Sequence, residues 1–168
     1  VYGLPEVNRE KIKNAQLIAN PGCYPTAIQL ALIPLLKEGL IDPLSIIADV
    51  KSGISGAGKK NKVDFLMSEA SENFKAYSLT GHRHQPEIEE NLSLNSSLGK
   101  AKLLFVPHLL PIVRGIHATM YVNCIKDFDA SVIFNKFYEK ERFVDVMEAN
   151  SCPEIKSVRS SNMCRISF

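Results

Sequence analysis

Two short stretches combine residue types and spacing suited to chemistry: "NPGCYPTA", Asn20 to Ala27, which holds Cys23, and "GHRHQPE", which holds His82, Arg83 and His84. A thiol attacks carbonyl carbon as its thiolate, so a nucleophilic cysteine needs positive surroundings and a partner for its proton. Asn20, Pro21 and Gly22 read as a turn and Pro25 suits the first turn of a helix, which puts Cys23 at the positive end of a helix dipole with an expected lowered pKa. Composition alone favours a small buried hydrophobe at that position. The His-x-His run fits a polar surface turn, half of a metal site, or the acid/base that a thiol requires. Metal is the weakest of these, because no third ligand stands at suitable spacing and the four cysteines, Cys23, Cys124, Cys152 and Cys164, form no CxxC pair. The same spacing argues against a disulfide framework.

The glycine-rich "SGISGAG", Ser52 to Gly58, follows a strand pattern but lacks both the GKS/GKT ending of a P-loop and GxGxxG spacing. It reads as a tight loop beside a site. Arg114, in "PIVRGI", stands between two strand patterns, where a guanidinium can hold a carboxylate or phosphate in bidentate fashion or simply be solvated. His108 and His117 lie within strand patterns and read as structural.

These residues must be positioned by a modest set of elements. A short helix and a strand-like "AQLIA" open the chain, and Tyr24 to Glu38 carries apolar residues around nearly its whole circumference, as a buried helix does. Pro34 is expected to kink that helix or end it early. "LSIIADV" reads as a buried strand, Val63 to Ala70 as a helix, and Pro86 as the first residue of a further helix with Glu87, Glu89 and Glu90 at its N-terminal end. "AKLLFVPHLLP" reads as a strand broken by prolines. "GIHATMYVNCIK" alternates with period two, putting Ile116, Ala118, Met120, Val122 and Cys124 on one face and predicting a core position for Cys124. An amphipathic helix from Ala130 and short strands near 143–147 and 163–168 close the list. Strands and helices mix without regular βα alternation, so the expected class is α+β: a mixed, mainly antiparallel sheet flanked by helices.

The 168 residues, 45% hydrophobic and 23% charged, are enough for one domain with a proper core. A net charge of +2 from interspersed charges gives no basic stripe for a nucleic-acid backbone. No apolar run approaches the length of a membrane span and the N-terminus lacks signal-peptide order, so the expectation is a cytoplasmic protein with neither nucleic acid nor membrane as partner. The first residue is not methionine and the chain looks cut from something longer.

Taken together, "YGLPE", "ANPGCYPTA", "SGISGAGK", "GHRHQPEIEE", "PHLLPIVRGIHAT" and "VRSSNMCRISF" resemble, in order and spacing, the N-acetyl-gamma-glutamyl-phosphate reductases of arginine biosynthesis. The resemblance implies an NADP-dependent reductive dephosphorylation of an acyl phosphate to a semialdehyde. It implies Cys23 as the nucleophile that forms a thioester, His82 as acid/base with His84 as the less favoured candidate, and Arg83, His84, Glu87 and Arg114 as substrate-binding residues. Ser52 and Gly53 would lie against the cofactor. It implies the fold of the glyceraldehyde-3-phosphate dehydrogenase catalytic domain, and oligomers formed through its sheet. Residues 1–168 would be the catalytic and substrate-binding domain alone, without the N-terminal Rossmann domain or the C-terminal helix. Most of the NADP site would then lie elsewhere, and the fragment would be inactive by itself. "VRSSN", where the family tends to have glycine at Ser160, is expected to lie away from the catalytic motifs. The same thioester chemistry would serve an amino-adipyl or aspartyl phosphate, and an activated thiol would also serve a Cys-His hydrolase or acyltransferase. A non-enzymatic interaction domain would have an ordinary thiol at Cys23.

Overall fold

A computed structural model describes residues 1–59 and 63–168. Helix α1 spans Pro5–Lys13 and α2 Cys23–Lys37; strand β1 spans Ile46–Ser52, α3 Met67–Ala70, β2 Lys75–Ala76 and α4 His84–Asn95. Strands β3, Leu103–Leu109, and β4, Ile116–Tyr121, follow, then α5, Ala130–Tyr138, β5, Val144–Val146, α6, Ile155–Val158, and β6, Cys164–Ile166. Four strands form one sheet in the order β2-β3-β1-β4, in which β1 and β3 are parallel and the other two pairings antiparallel. β5 and β6 form a separate parallel pair. The fold is therefore the α+β, mixed and mainly antiparallel arrangement that the sequence pattern predicts.

Alternation along the strands decides where the core sits. Ile46, Ala48 and Val50 of β1 and Leu103 and Phe105 of β3 are buried in one cluster with Ile28, Leu32, Ile33 and Leu36 of α2 and Ile88 and Leu92 of α4. The opposite face of the sheet is open: the register aligns Leu104, Ile47 and Tyr121 in one row across β3, β1 and β4, and all three are exposed. Next to that row Asp49 holds both Lys51, at 2.5 Å, and His108, at 3.1 Å, with Phe74 stacked on the imidazole. His108 is structural, as its strand pattern implies.

Several local expectations are corrected. Helix α2 does not end early at Pro34 but runs to Lys37. Proline removes the amide that would bond the carbonyl four residues back, and here that carbonyl, Leu30 O, accepts a hydrogen bond from the buried Tyr138 hydroxyl of α5. "AQLIA" forms only a bridge between Ala19 and Tyr2, with Leu17 and Ile18 exposed. The Val63 to Ala70 pattern resolves into a 3-10 turn, Val63–Phe65, and the one-turn α3. Regular pairing of β4 stops at Tyr121, so Cys124 is exposed rather than a core residue, joined only by a bridge to Ile41.

Candidate active site

The cysteine turn is built by backbone geometry and one carboxylate. Gly22 is the N-cap of α2, extended at φ −64° and ψ 158°, and Cys23 is the first helical residue. No side chain of the turn caps the helix; instead Gly22 N–H donates to Glu87 Oε1 at 2.9 Å, and Gly22 O accepts from both the amide and the hydroxyl of Thr26. Helix α4 brings that carboxylate. It begins at His84, two residues before Pro86, so the proline occupies the third helical position, where its missing N–H still costs no intrahelical bond.

The histidines stand behind the turn, in an aromatic box. His82 and His84 have ring centroids 4.9 Å apart, and Tyr24 meets both edge-on at 5.5 and 5.8 Å; Tyr77 and Phe105 also flank His82. His82 Nδ1 accepts the backbone N–H of His84 at 3.1 Å, so the neutral ring carries its proton on Nε2. Burial, then the neighbouring His84 and Arg83, lower its pKa to about 4. His84 is buried and lies against the turn: a Cβ on Gly22 would come within 2.8 Å of its Nε2. Burial also lowers the pKa of His84, with Glu87 opposing. A side chain at 22 would have to displace the His84 ring, while the φ of Gly22 is ordinary.

Cys23 lines an open cleft of about 550 Å³. Ser52, Ser55 and Gly56 of the glycine-rich loop line it, together with Arg114, Glu6 and the Arg159–Asn162 segment. The structure thus brings Cys23, Ser52 and Arg114 to one cleft, while His82, Arg83, His84 and Glu87 lie outside its lining. The thiol does not have the lowered pKa expected of a helix N-terminus. Crowding by its packed neighbours pushes it up, although the residue retains an exposed surface, and the N–H groups of Tyr24 and Cys23 and the charge of Arg83 only partly offset this; Glu87 raises it further.

Ser52 is buried, and its hydroxyl donates to Gly53 O at 3.0 Å. The loop after it is zipped to the loop before β4: Gly53, Ile54 and Ser55 amides donate to the carbonyls of Gly115, Ile112 and Val113. A Cβ on Gly53 would meet the Val113 and Ile112 carbonyl oxygens at 2.8 and 2.9 Å, so glycine here permits two backbones to touch and so carries Arg114 to the cleft. "VRSSN" is a further correction. It does not lie away from the cysteine but forms a wall of its cleft, with Ser160 in the left-handed region at φ +64°. Glycine would adopt that φ at less cost than serine does.

Tyr24 and Tyr77, whose hydroxyls pair at 2.7 Å beneath the site, had no signal in the sequence beyond their neighbourhood to the two motifs. Among the described residues no group of three or more His, Cys, Asp or Glu side chains is placed to hold a metal ion. No helix there is long and apolar enough to cross a membrane.

A protein-family profile described as "Semialdehyde dehydrogenase, dimerisation domain" matches residues 23–168. The chain belongs to this family. Its curated relatives include an N-acetyl-gamma-glutamyl-phosphate reductase of Nitrosomonas eutropha, 58% identical over 167 residues, which are 99% of this chain and 48% of that protein. The chain thus spans about half the length of the curated relatives it matches, and the resemblance read from its motifs is borne out by their names. Among solved structures, an aspartate semialdehyde dehydrogenase from Francisella tularensis superposes with a TM-score of 0.73 at 13% identity, covering 99% of this chain and 60% of that one. An aspartate semialdehyde dehydrogenase with NADP from Candida albicans gives 0.57 at 12% identity, over 92% and 49% of the two chains. At such identities the likeness establishes the semialdehyde dehydrogenase fold.

Proposed function

We propose that this chain is the catalytic and substrate-binding part of an N-acetyl-gamma-glutamyl-phosphate reductase, an NADP-dependent oxidoreductase of arginine biosynthesis in the cytoplasm. The observation that carries the reading is Cys23 at the first turn of α2, opening into a cleft that also holds Arg114. There the Cys23 thiolate attacks the acyl carbon: the S–C bond forms, the C–O bond to phosphate breaks, and phosphate leaves with the electron pair. Arg114, with Arg83 near the thiol, holds the phosphate and carboxylate charges of the substrate. His82 is the acid/base we assign: its Nδ1 accepts the His84 amide and its proton sits on Nε2, so it takes the thiol proton only on releasing that amide, and its low pKa then makes the imidazolium a strong acid toward the sulfur when the aldehyde departs. Glu87 is engaged on Gly22 and so serves the substrate by fixing the cysteine turn.

NADPH, when bound, supplies the hydride that reduces the thioester carbon. Ser52, Ser55 and Gly56, which line the cleft, would hold its nicotinamide edge, whereas the Gly53 amide is already committed to Gly115 O. The NADP complex of the Candida structure supports this cofactor, and a profile described as a dimerisation domain supports a homo-oligomer. The exposed Leu104–Ile47–Tyr121 row is the surface we assign to that contact.

The test follows nicotinamide absorbance with acyl phosphate and NADPH. The full-length protein is expected to oxidise NADPH with N-acetylglutamyl phosphate in preference to aspartyl or amino-adipyl phosphate, and the 168-residue chain alone to give no turnover. Hydrolysis of the acyl phosphate without NADPH oxidation would favour the Cys-His hydrolase instead.

A further inference from the structure

The opening "YGLPE" takes no part in the chemistry above, yet it is tied to the cysteine turn. Tyr2 OH donates to Glu87 Oε1 at 2.8 Å, the same oxygen that accepts Gly22 N–H at 2.9 Å, one residue before Cys23. Behind it, Gln29 Nε2 donates to the Tyr2 hydroxyl at 3.0 Å. Gln29 lies on α2 six residues beyond Cys23, is fully buried, and its Oε1 has no hydrogen-bond partner among the described residues. The Tyr2 backbone is fixed too: its carbonyl accepts from Asn8 Nδ2 at 3.1 Å, and the Gly3 amide bonds Ala19 O, directly ahead of Asn20. A core that buries an amide with one oxygen unsatisfied retains it at a cost, which points to the donor it supplies.

We propose that Tyr2 is a positioning residue, which holds the Glu87 carboxylate on the Gly22 amide and thereby sets the orientation and the charge that the Cys23 thiol meets. The inference rests on the reading of Cys23 as the reacting thiol. Burial and Glu87 raise the Tyr2 pKa well above its ordinary value, so the phenol remains a donor throughout the working range. Two donors on one carboxylate oxygen disperse its charge. The charged and titratable groups around the thiol are Arg83, the N-cap of α4, Glu87 within it, Tyr24 from α2 and Tyr77 after β2, with the rings of His82 and His84 packed on Tyr24 and with Arg114, Arg159 and Glu6 in the cleft wall. Loss of the Tyr2 donor therefore leaves more of the Glu87 charge facing the thiol, while loss of the charge itself acts in the opposite sense.

The experiment is alkylation of Cys23 by iodoacetamide across pH, read on the Cys23 peptide by mass spectrometry, with melting followed by circular dichroism. Tyr2→Phe is expected to move the midpoint of the Cys23 profile up by about half a pH unit, and Glu87→Gln to move it down. Tyr2→Phe in the Glu87→Gln background is expected to add nothing. If Tyr2→Phe unfolds the chain, Gln29→Leu reads the same coupling, with a smaller upward shift that also vanishes without the carboxylate. An unchanged midpoint in a folded Tyr2→Phe chain, or a shift that persists undiminished in the Glu87→Gln background, overturns the proposal. The midpoint is read whether or not Cys23 ever carries an acyl group. A chain with normal coupling and no acyl-enzyme therefore refutes the thioester reading alone, and a flat coupling with an acyl-enzyme refutes the positioning role alone.

Discussion

At the scale of single residues, His82 is the histidine whose environment departs most clearly from water. Its pKa, lowered from 6.5 to about 4, means that the folded chain keeps the ring neutral where the unfolded chain protonates it. The sign follows from proton linkage: between those two values the unfolded state binds more protons, so stability falls as pH drops from about 6.5 and levels off below about 4. Denaturant unfolding at pH 7, 5.5 and 4.5 is expected to show that decline, and His82→Gln to flatten it; an equally steep decline in the variant would place the acid sensitivity elsewhere. His84 shifts in the same direction and adds to that decline in the same sense. The chemical types at Cys23 and the histidines were legible in the sequence because motif spacing is local. Their division between cleft and aromatic box was not, since it depends on Phe105 and Tyr77 from distant segments. The upward push on the Cys23 thiol was equally hidden, because crowding around a side chain has no local signature.

At the scale of elements, two loops do most of the positioning, and both work through close backbone contact. The zipper between Ser52–Ser55 and Leu110–Gly115 tolerates no side chain at Gly53. Gly53→Ala is expected to cost about 2 kcal/mol by forcing the two backbones apart. It is also expected to lower the rate of Cys23 acylation, because Arg114 rides on the displaced loop; a denaturant midpoint equal to that of the parent chain would show that the loops are not in contact. Periodicity made α2, β1 and the extent of β3 legible to within two or three residues, although β3 runs unbroken through Pro107, where the prolines predict a break. It failed at Cys124, where alternation persists in the sequence after Tyr121 while pairing does not, since β4 lies at the sheet edge and only a bridge to Ile41 continues it. It also misjudged Pro34, because the compensating Tyr138 hydroxyl comes from α5.

At the scale of the whole molecule, the sheet separates two tasks. One face packs α2 and α4 and so fixes Cys23 relative to the histidines and Glu87; the other presents an exposed apolar row suited to a second copy. Fold class and family were legible from ordered motifs spread along the chain, whereas the cleft was not. Its far wall comes from Arg159–Asn162, whose left-handed Ser160 is recognised only once φ is known. The chemistry proposed for this cleft requires Cys23 to accept an acyl group. Intact-mass analysis of the chain after incubation with an acyl phosphate is expected to show one added acyl group per chain, carried by Cys23, removed by hydroxylamine and absent from Cys23→Ser. No adduct, or one placed on exposed Cys124 or Cys152 in its stead, would contradict it.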